Sequence, residues 1–438
     1  MARKIVLIAT LVLVIPLVLV WSAGGKEPQA ATGELSFWSG YPEMAPLYDN
    51  VIAGFQKKYP QVKVNYLTHP LREYEQKLAA AIPTDTGPDV FEGSLYANLK
   101  FLEAGLLPAL PKTLLDRYKN SWDKFIVEYN TIEGKRYSLP FFEGRPAFFY
   151  NLNFINEAGL TVPAADKALS MQQFTDYAKS MTKRDTAGEV TRSGLSLRLS
   201  GAGSGIAEKW LIQGLAFGLH PLDQTADGKW KAAYNDKAGQ QTLKFYIDML
   251  YKWNADSHKI KHDAEAFELQ HTAMFQRETW VIGDIKKKAP DLKYGTMPLP
   301  KDTHWGYLRN SFSIYTTRST KNPELAWAFA EELIQPDNQN FMLENIGWLP
   351  SRSDVDYTDV LNKIPAFKAF LVKDPAYVPV FTPKLGVFDE IWTKLAQRLQ
   401  DAYLKKELLD NPNGIKQVLD EAAAETNSIL KREGLLGQ

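Results

Sequence analysis

The first hundred residues alternate between short apolar strands and amphipathic helices, and this alternation limits the fold more than any other feature. Leu35-Ser36-Phe37-Trp38 reads as a strand that ends in Ser39-Gly40-Tyr41-Pro42-Glu43. Tyr48, Val51, Ile52, Phe55 and Tyr59 then recur at helical spacing until Pro60 stops them. Val62, Val64 and Tyr66 alternate as a second strand, a helix spans about 71–81, and Gly87-Pro88 turns into Asp89-Val90-Phe91. A β-α-β-α-β opening calls for a parallel sheet with helices on its faces, so the fold class is α/β. Ligands of such sheets gather beyond the carboxyl ends of strands. Two strand exits stand out on that ground, Trp38–Glu43 and Glu92-Gly93-Ser94.

The aromatic stretch from Arg136 to Asn151 holds two strands, Tyr137–Phe142 and Ala147–Asn151, around Glu143-Gly144-Arg145-Pro146. These residues admit two readings. One is a hairpin with a charged tip, although Gly144 and Pro146 are not a two-residue primed turn. The other is a chain that leaves one sheet for another, with Gly144 free at a hinge and Glu143 and Arg145 hanging into a cleft.

Beyond this point the chain is mainly helical, with helices expected over 171–181, 206–218 and 239–253. Thr272–Phe275 reads as a strand, and Glu278-Thr279-Trp280 opens a short helix with Thr279 as N-cap. Ser311–Thr316 alternates as a strand, and Asn322-Pro323 starts a helix bearing Leu325, Ala326, Phe329 and Leu333 on one face. Two amphipathic helices close the chain, one using Phe388 to Tyr403 and the other Ile415 to Leu430. Tyr294–Pro300 and Gly347–Arg352 resemble the first stiff crossing in character. Three connectors between segments of alternating texture suit two discontinuous bodies.

The chain of 438 residues is too long for one ordinary domain. With 51 basic and 51 acidic residues mixed throughout, there is no basic stripe and no support for nucleic acid as a partner. Cysteine is absent, which excludes disulfides, thiolate catalysis and zinc-thiolate sites. Arg3-Lys4, the apolar run Ile5–Val20 and the small residues Ser22-Ala23-Gly24-Gly25 form a signal peptide over 1–24, followed by a polar linker over 25–33. The run is short of the ~20 residues of a spanning helix and contains Pro16, so an uncleaved anchor is the second choice. The protein is expected outside the cytoplasm, in the periplasm or at the cell surface.

Recognisable catalytic chemistry is missing. Gly201-Ala202-Gly203-Ser204-Gly205 has neither GK[ST] nor a third glycine at Ile206, and Ser204 is not in G-x-S-x-G. The loop either frees backbone amides at a helix start for ligand oxygens or is a plain turn. His258 and His262 stand four apart among Lys259, Lys261 and Asp263, as on a solvated face, so no metal site is expected. Glu43, Glu92, Glu143 and Glu278 beside aromatics would suit a glycosidase if two stood ~5–9.5 Å apart. They would equally serve a binder, accepting hydrogen bonds from sugar hydroxyls while rings pack on sugar faces. Trp210, Trp327 and Trp392 sit among apolar residues and belong to the core, whereas Trp38 and Trp280 stand at element ends.

The ordered set "FQKKYPQVKV", "GPDVF", "YSLPFFEGRPAFFYN", "HTAMFQRETWVIGDI", "YGTMPLP", "NPELAWAFAEEL" and "GWLPSR" resembles the family 1 extracellular solute-binding proteins. These are the carbohydrate-binding, maltose-binding-protein-like subunits of bacterial ABC importers. The resemblance runs from about Glu34 to Leu430. It implies a two-lobed periplasmic-binding-protein type II fold, with lobe one over 34–143 plus 298–346 and lobe two over 146–296 plus 350–438. Hinge crossings would fall near 143–146, 296–298 and 346–350. Implied ligand contacts are Trp38, Ser39, Gly40, Tyr41, Glu43, Glu92, Ser94, Phe142, Glu143, Arg145, Ser204, Glu278, Thr279, Trp280, Gly306, Tyr307 and Trp348. The implied protein is a monomer without cofactor or catalysis that passes a carbohydrate, as an oligosaccharide, to membrane permease subunits. A secreted carbohydrate hydrolase and a binder of a non-sugar such as a glycerol phosphodiester are the alternatives. Many relatives carry a lipid-anchoring cysteine where this chain has Ser22-Ala23-Gly24-Gly25, which favours a soluble form.

Overall fold

The computed structural model describes residues 33–261 and 264–438. The signal peptide, nearly all of the linker and His262 lie outside the described residues. In chain order the elements that position the site are β1 (Gly33–Ser39), α1 (Ala45–Lys58), β2 (Val62–Thr68), α2 (Leu71–Ala81), β3 (Val90–Ser94) and α3 (Leu95–Glu103). They continue with β4 (Leu139–Gly144), β5 (Pro146–Asn151), α4 (Met171–Met181), α5 (Gly205–Gly214), α6 (Lys237–Ile247), β6 (Met274–Glu278) and α7 (Val281–Lys288). Last come β7 (Tyr294–Met297), β8 (Gly306–Leu308), β9 (Asn310–Thr316), α8 (Pro323–Leu333), β10 (Leu349–Pro350), β11 (Val378–Val380), α9 (Phe388–Tyr403) and α10 (Pro412–Arg432).

Two sheets organise the chain. The first has the order β10-β4-β9-β3-β1-β2, and the second is β6-β5-β7. β1 runs parallel to both β2 and β3, as the opening alternation predicts. The pleat then sorts its side chains. Leu35 and Phe37 are buried against α1 and α8, together with Tyr48, Phe55 and Phe329. Trp38 points to the other face and packs beside Tyr74, Phe91 and Tyr315. Fully burying a ring such as Phe37 stabilises the fold by roughly 2–3 kcal/mol.

β4 and β5 do not pair with each other. β4 hydrogen-bonds to β9 and β10, while β5 hydrogen-bonds to β6 and β7. The crossing reading therefore holds and the hairpin reading falls. The other two crossings lie later than 296–298 and 346–350. Leu299 and Leu308 pack in the second body, β8 pairs with β11, and the chain joins the first sheet only at Asn310. After Ile346, β10 pairs with β4, and the N–H groups of Ser351 and Ser353 donate to Phe141 and Ser121 carbonyls (3.0 and 2.8 Å). Backbone pairing holds each segment to its sheet for as long as partners are present.

The second body is built on α4, α5, α6, α9 and α10, around Trp210, Tyr234, Trp392 and Leu399. Trp210, Trp327 and Trp392 are all buried, as expected of core residues. Among the described residues no helix is long and apolar enough to cross a membrane.

Candidate ligand-binding cleft

Most strand-exit residues singled out in the sequence are engaged inside the first body. Ser39 and Glu92 are fully buried, and Ser39 Oγ donates to Glu92 Oε1 at 2.5 Å. Tyr48 OH donates to Glu92 Oε2 at 2.6 Å, and burial pushes the Glu92 carboxyl up to about 8. Gly40 is needed for packing, because a Cβ there would stand 2.5 Å from the ring of Tyr74. Ser94 is buried at the start of α3, and its carbonyl accepts from Asn98 Nδ2 at 2.9 Å. Ser39, Glu92 and Ser94 are buried, Ser39 and Glu92 bond to each other, and none of the three lines the cavity between the two bodies.

Phe142 is also fully buried, stacked on Phe312 at 4.7 Å and tilted against Trp348 at 4.8 Å. Tyr41 sets its edge against the same three rings and is 6% exposed. Glu143 does not hang into a cleft. Arg309 holds it with hydrogen bonds of 2.6 and 2.7 Å, and Arg145 with one of 2.8 Å. Burial pushes Glu143 up, but Arg145 and Arg309 outweigh burial and hold it below the usual glutamate range. The Arg145 guanidinium also lies over the Tyr307 ring. Gly306 and Tyr307 belong to β8, with Tyr307 against Tyr377 at 4.7 Å. Glu143, Arg145 and Tyr307 are therefore a tie at the crossings.

Thr279 is not an N-cap. Trp280 holds the capping position of α7, and the Thr279 side chain is buried with its carbonyl accepting from the Ile282 N–H at 2.9 Å. The turn is set by a close approach of two glycines. A Cβ on Gly283 would stand 2.2 Å from the Ile346 carbonyl oxygen. A Cβ on Gly347, which lies at φ +97°, would stand 2.9 Å from the Thr279 carbonyl oxygen and 3.1 Å from the Gly283 nitrogen.

Three of the expected residues do meet across the two bodies. Trp280 and Glu43, with Arg277, line a cavity of about 380 Å³. Trp348, itself 5% exposed, reaches Glu43 Oε1 through its indole N–H at 3.1 Å. Burial pushes the Glu43 carboxyl up, partly offset by hydrogen bonds to its own backbone and to Trp348. Ser204 marks a second junction: it accepts from Arg72 at 3.1 Å and donates to Asp389 at 3.2 Å. Tyr96 on α3 meets Phe388 on α9 edge to face nearby. Glu278 turns to Lys209, a close ion pair in the second body. Trp38 is half-buried beside Tyr74 and does not line that cavity.

The sequence reading missed Arg72, Arg198, Lys209 and Arg277. Arg277 stands directly before Glu278, and Arg198 interrupts an apolar run at Leu195-Ser196-Leu197-Arg198-Leu199. Both were visible as charges within apolar surroundings. Among the described residues no group of three or more metal-ligating side chains comes together.

Two α/β bodies, three crossings and a cleft between them define a two-lobed solute-binding fold. A solved ABC substrate-binding protein of Listeria monocytogenes, in complex with cycloalternan, superposes with a TM-score of 0.77 at 16% identity over 92% of this chain and 100% of that one. Residues 50–369 match the family described as bacterial extracellular solute-binding protein, and the chain belongs to that family. Relatives include a binding protein of Brucella abortus (strain 2308), 23% identical over 95% of this chain and 96% of its own. The maltotriose-binding protein of Pyrococcus abyssi is 22% identical over 89% of this chain and 84% of its own. Family and relatives are binding proteins, not enzymes.

Proposed function

We propose that this protein is the exported binding component of an ABC importer and captures a carbohydrate, as an oligosaccharide, by closure of its lobes. The observation that carries this reading is the cavity between the lobes, which the half-buried Trp280 and Glu43 both line. An indole face suits the apolar face of a sugar, and a carboxylate accepts from its hydroxyls. A relative named for maltotriose supports the same class. Micromolar capture needs about −8 kcal/mol, within reach of one or two ring stacks plus several charge-assisted hydrogen bonds.

In this reading lobe one takes the first sheet with the helices packed on it and lobe two the rest, with hinges at 144–146, 308–310 and 353–357. The contact of Arg72 with Ser204 joins the lobes when they meet. Closure is driven by contacts that exist only in the closed state. The signal peptide directs export to the periplasm, where the protein acts as a soluble monomer and docks on permease subunits. A thermal-shift panel of mono- and oligosaccharides tests the reading, with each incubation analysed for products. A raised melting temperature without turnover is expected. No shift with any sugar, or release of cleaved sugar, would sink it.

A further inference from the structure

The second-lobe wall of the cleft holds an excess of hydrogen-bond donors that the protein itself does not satisfy. Arg198 and Arg277 line a small pocket of about 30 Å³ together with Lys209, Gln276, Gln213 and Ser196, and Arg277 also lines the 380 Å³ cavity between the lobes. Among the described residues Arg198 makes no hydrogen bond and has no carboxylate within 4.0 Å; its guanidinium lies against Gly201 and Gly205, at the start of α5. Arg277 makes no hydrogen bond there either. Its nearest carboxylate oxygen is Glu278 Oε2 at 3.8 Å, and its guanidinium lies over the Trp280 ring. Glu278 and Glu208, the acidic groups whose fields reach Arg198, are both drawn to Lys209. The amide nitrogen of Gln276 is buried with no partner, and that of Gln213 reaches only the Met171 sulfur at 3.5 Å.

A guanidinium carries five N–H donors and no acceptor, so two of them bring ten donors to this wall. Withdrawing such cations from water without a partner is costly. Burial and the neighbouring Arg277 both weaken the hold of Arg198 on its proton, which is how an uncompensated pair behaves. Both guanidinium groups keep some exposure to solvent, so an anion entering the cleft can supply the acceptor that the protein does not.

We propose that Arg198 and Arg277 receive an anionic group of the captured solute, the carboxylate of a uronic acid unit or a phosphate ester, so that the ligand is an acidic glycan. A planar guanidinium grips either anion through two parallel hydrogen bonds. The indole of Trp280, under Arg277, leaves the adjoining sugar ring beside the charged group. This inference rests on the carbohydrate reading above and specifies the charge of its ligand.

Titration calorimetry on the full chain tests it with digalacturonate, glucose 1-phosphate, glycerophosphocholine and maltotriose. Binding of digalacturonate assigns a uronate, and binding of either phosphate probe assigns a phosphate ester. In both cases affinity should fall with added salt and drop about 10- to 100-fold in Arg198→Gln and Arg277→Gln. Without ligand, Arg198→Gln should melt at or above the wild-type temperature, because an unpaired cation is removed. A merely structural arginine would lower it. The inference is overturned if no anionic probe binds, or if the variants bind that probe as tightly as wild type. Maltotriose binding alone would overturn it while leaving the carbohydrate reading intact. Glycerophosphocholine binding alone would uphold the anion site and count against the sugar.

Discussion

The Arg309 guanidinium grips the Glu143 carboxylate through two hydrogen bonds, from Nε at 2.6 Å and Nη2 at 2.7 Å, and the same Nη2 also donates to Asp123 at 2.6 Å. Glu143 stands near the end of β4 and Arg309 directly before β9, so two of the three inter-sheet connections are tied together at their roots. Arg309→Met leaves a buried carboxylate with Arg145 alone. Such a change should cost about 3–5 kcal/mol, read as a lower urea midpoint. Glu143 has a lowered folded-state pKa, so its contribution is present above the usual glutamate range and is lost as pH falls through the folded value. Wild type should therefore lose stability in acid more steeply than Arg309→Met.

Glu92 has the opposite sign. Burial raises its carboxyl to about 8, so its contribution is complete below the ordinary glutamate value and is lost as pH rises through about 8. Glu92→Gln keeps the shape and removes the titration. Melting curves across this window should show wild type losing up to ~5 kcal/mol relative to Glu92→Gln. Parallel pH profiles for the two proteins would refute the assignment.

Gly283 and Gly347 hold the turn that carries Trp280. Gly283→Ala would drive a methyl into the Ile346 backbone, 2.2 Å from its carbonyl oxygen. Overpacking of this kind costs about 1–3 kcal/mol. Gly347→Ala adds left-handed strain of about 1–2 kcal/mol. Both variants should lower the urea midpoint and alter tryptophan emission, while Gly54→Ala, in open space on α1, should do neither.

Lobe motion can be followed directly because the chain has no cysteine. Leu67 and Leu404 are 50% and 62% exposed, on opposite lobes. Dyes on Leu67→Cys and Leu404→Cys should change their energy-transfer efficiency on addition of a sugar that raises the melting temperature. Arg72→Ala, which removes the bridge to Ser204, should move the ligand-free signal away from the bound value. An unchanged signal at saturating sugar would argue against closure.

Much of the fold was legible because its signals are local. Leu35 and Phe37 alternate with Ser36 and Trp38, and the helical stripe from Tyr48 to Tyr59 is interrupted by a proline. The site was less so, because its partnerships join distant residues. Ser39 and Tyr48 meet Glu92 across 53 and 44 positions, and Arg309 meets Glu143 across 166. A carboxylate beside aromatic residues looks alike in sequence whether it faces sugar or an internal hydroxyl. The later crossings were misplaced for a related reason: Pro298 and Pro350 mark stiffness, but β-pairing, not stiffness, decides where a segment leaves its sheet. Arg198 and Arg277 escaped notice because their distinction is a missing partner.

The placement of β9 between β3 and β4 bears on how the chain is made and exported. Until Thr316 has left the ribosome, the largest sheet lacks an inner strand, and β3 and β4, which end at Ser94 and Gly144, present open edges to a strand that begins only at Asn310. Long-range closure of this kind is slow and leaves a nascent polypeptide dependent on chaperones. For a secreted polypeptide that delay is an advantage, because a translocation channel threads extended chains. The same insertion that completes the lobe outside the cell keeps it unfinished, and so transportable, within.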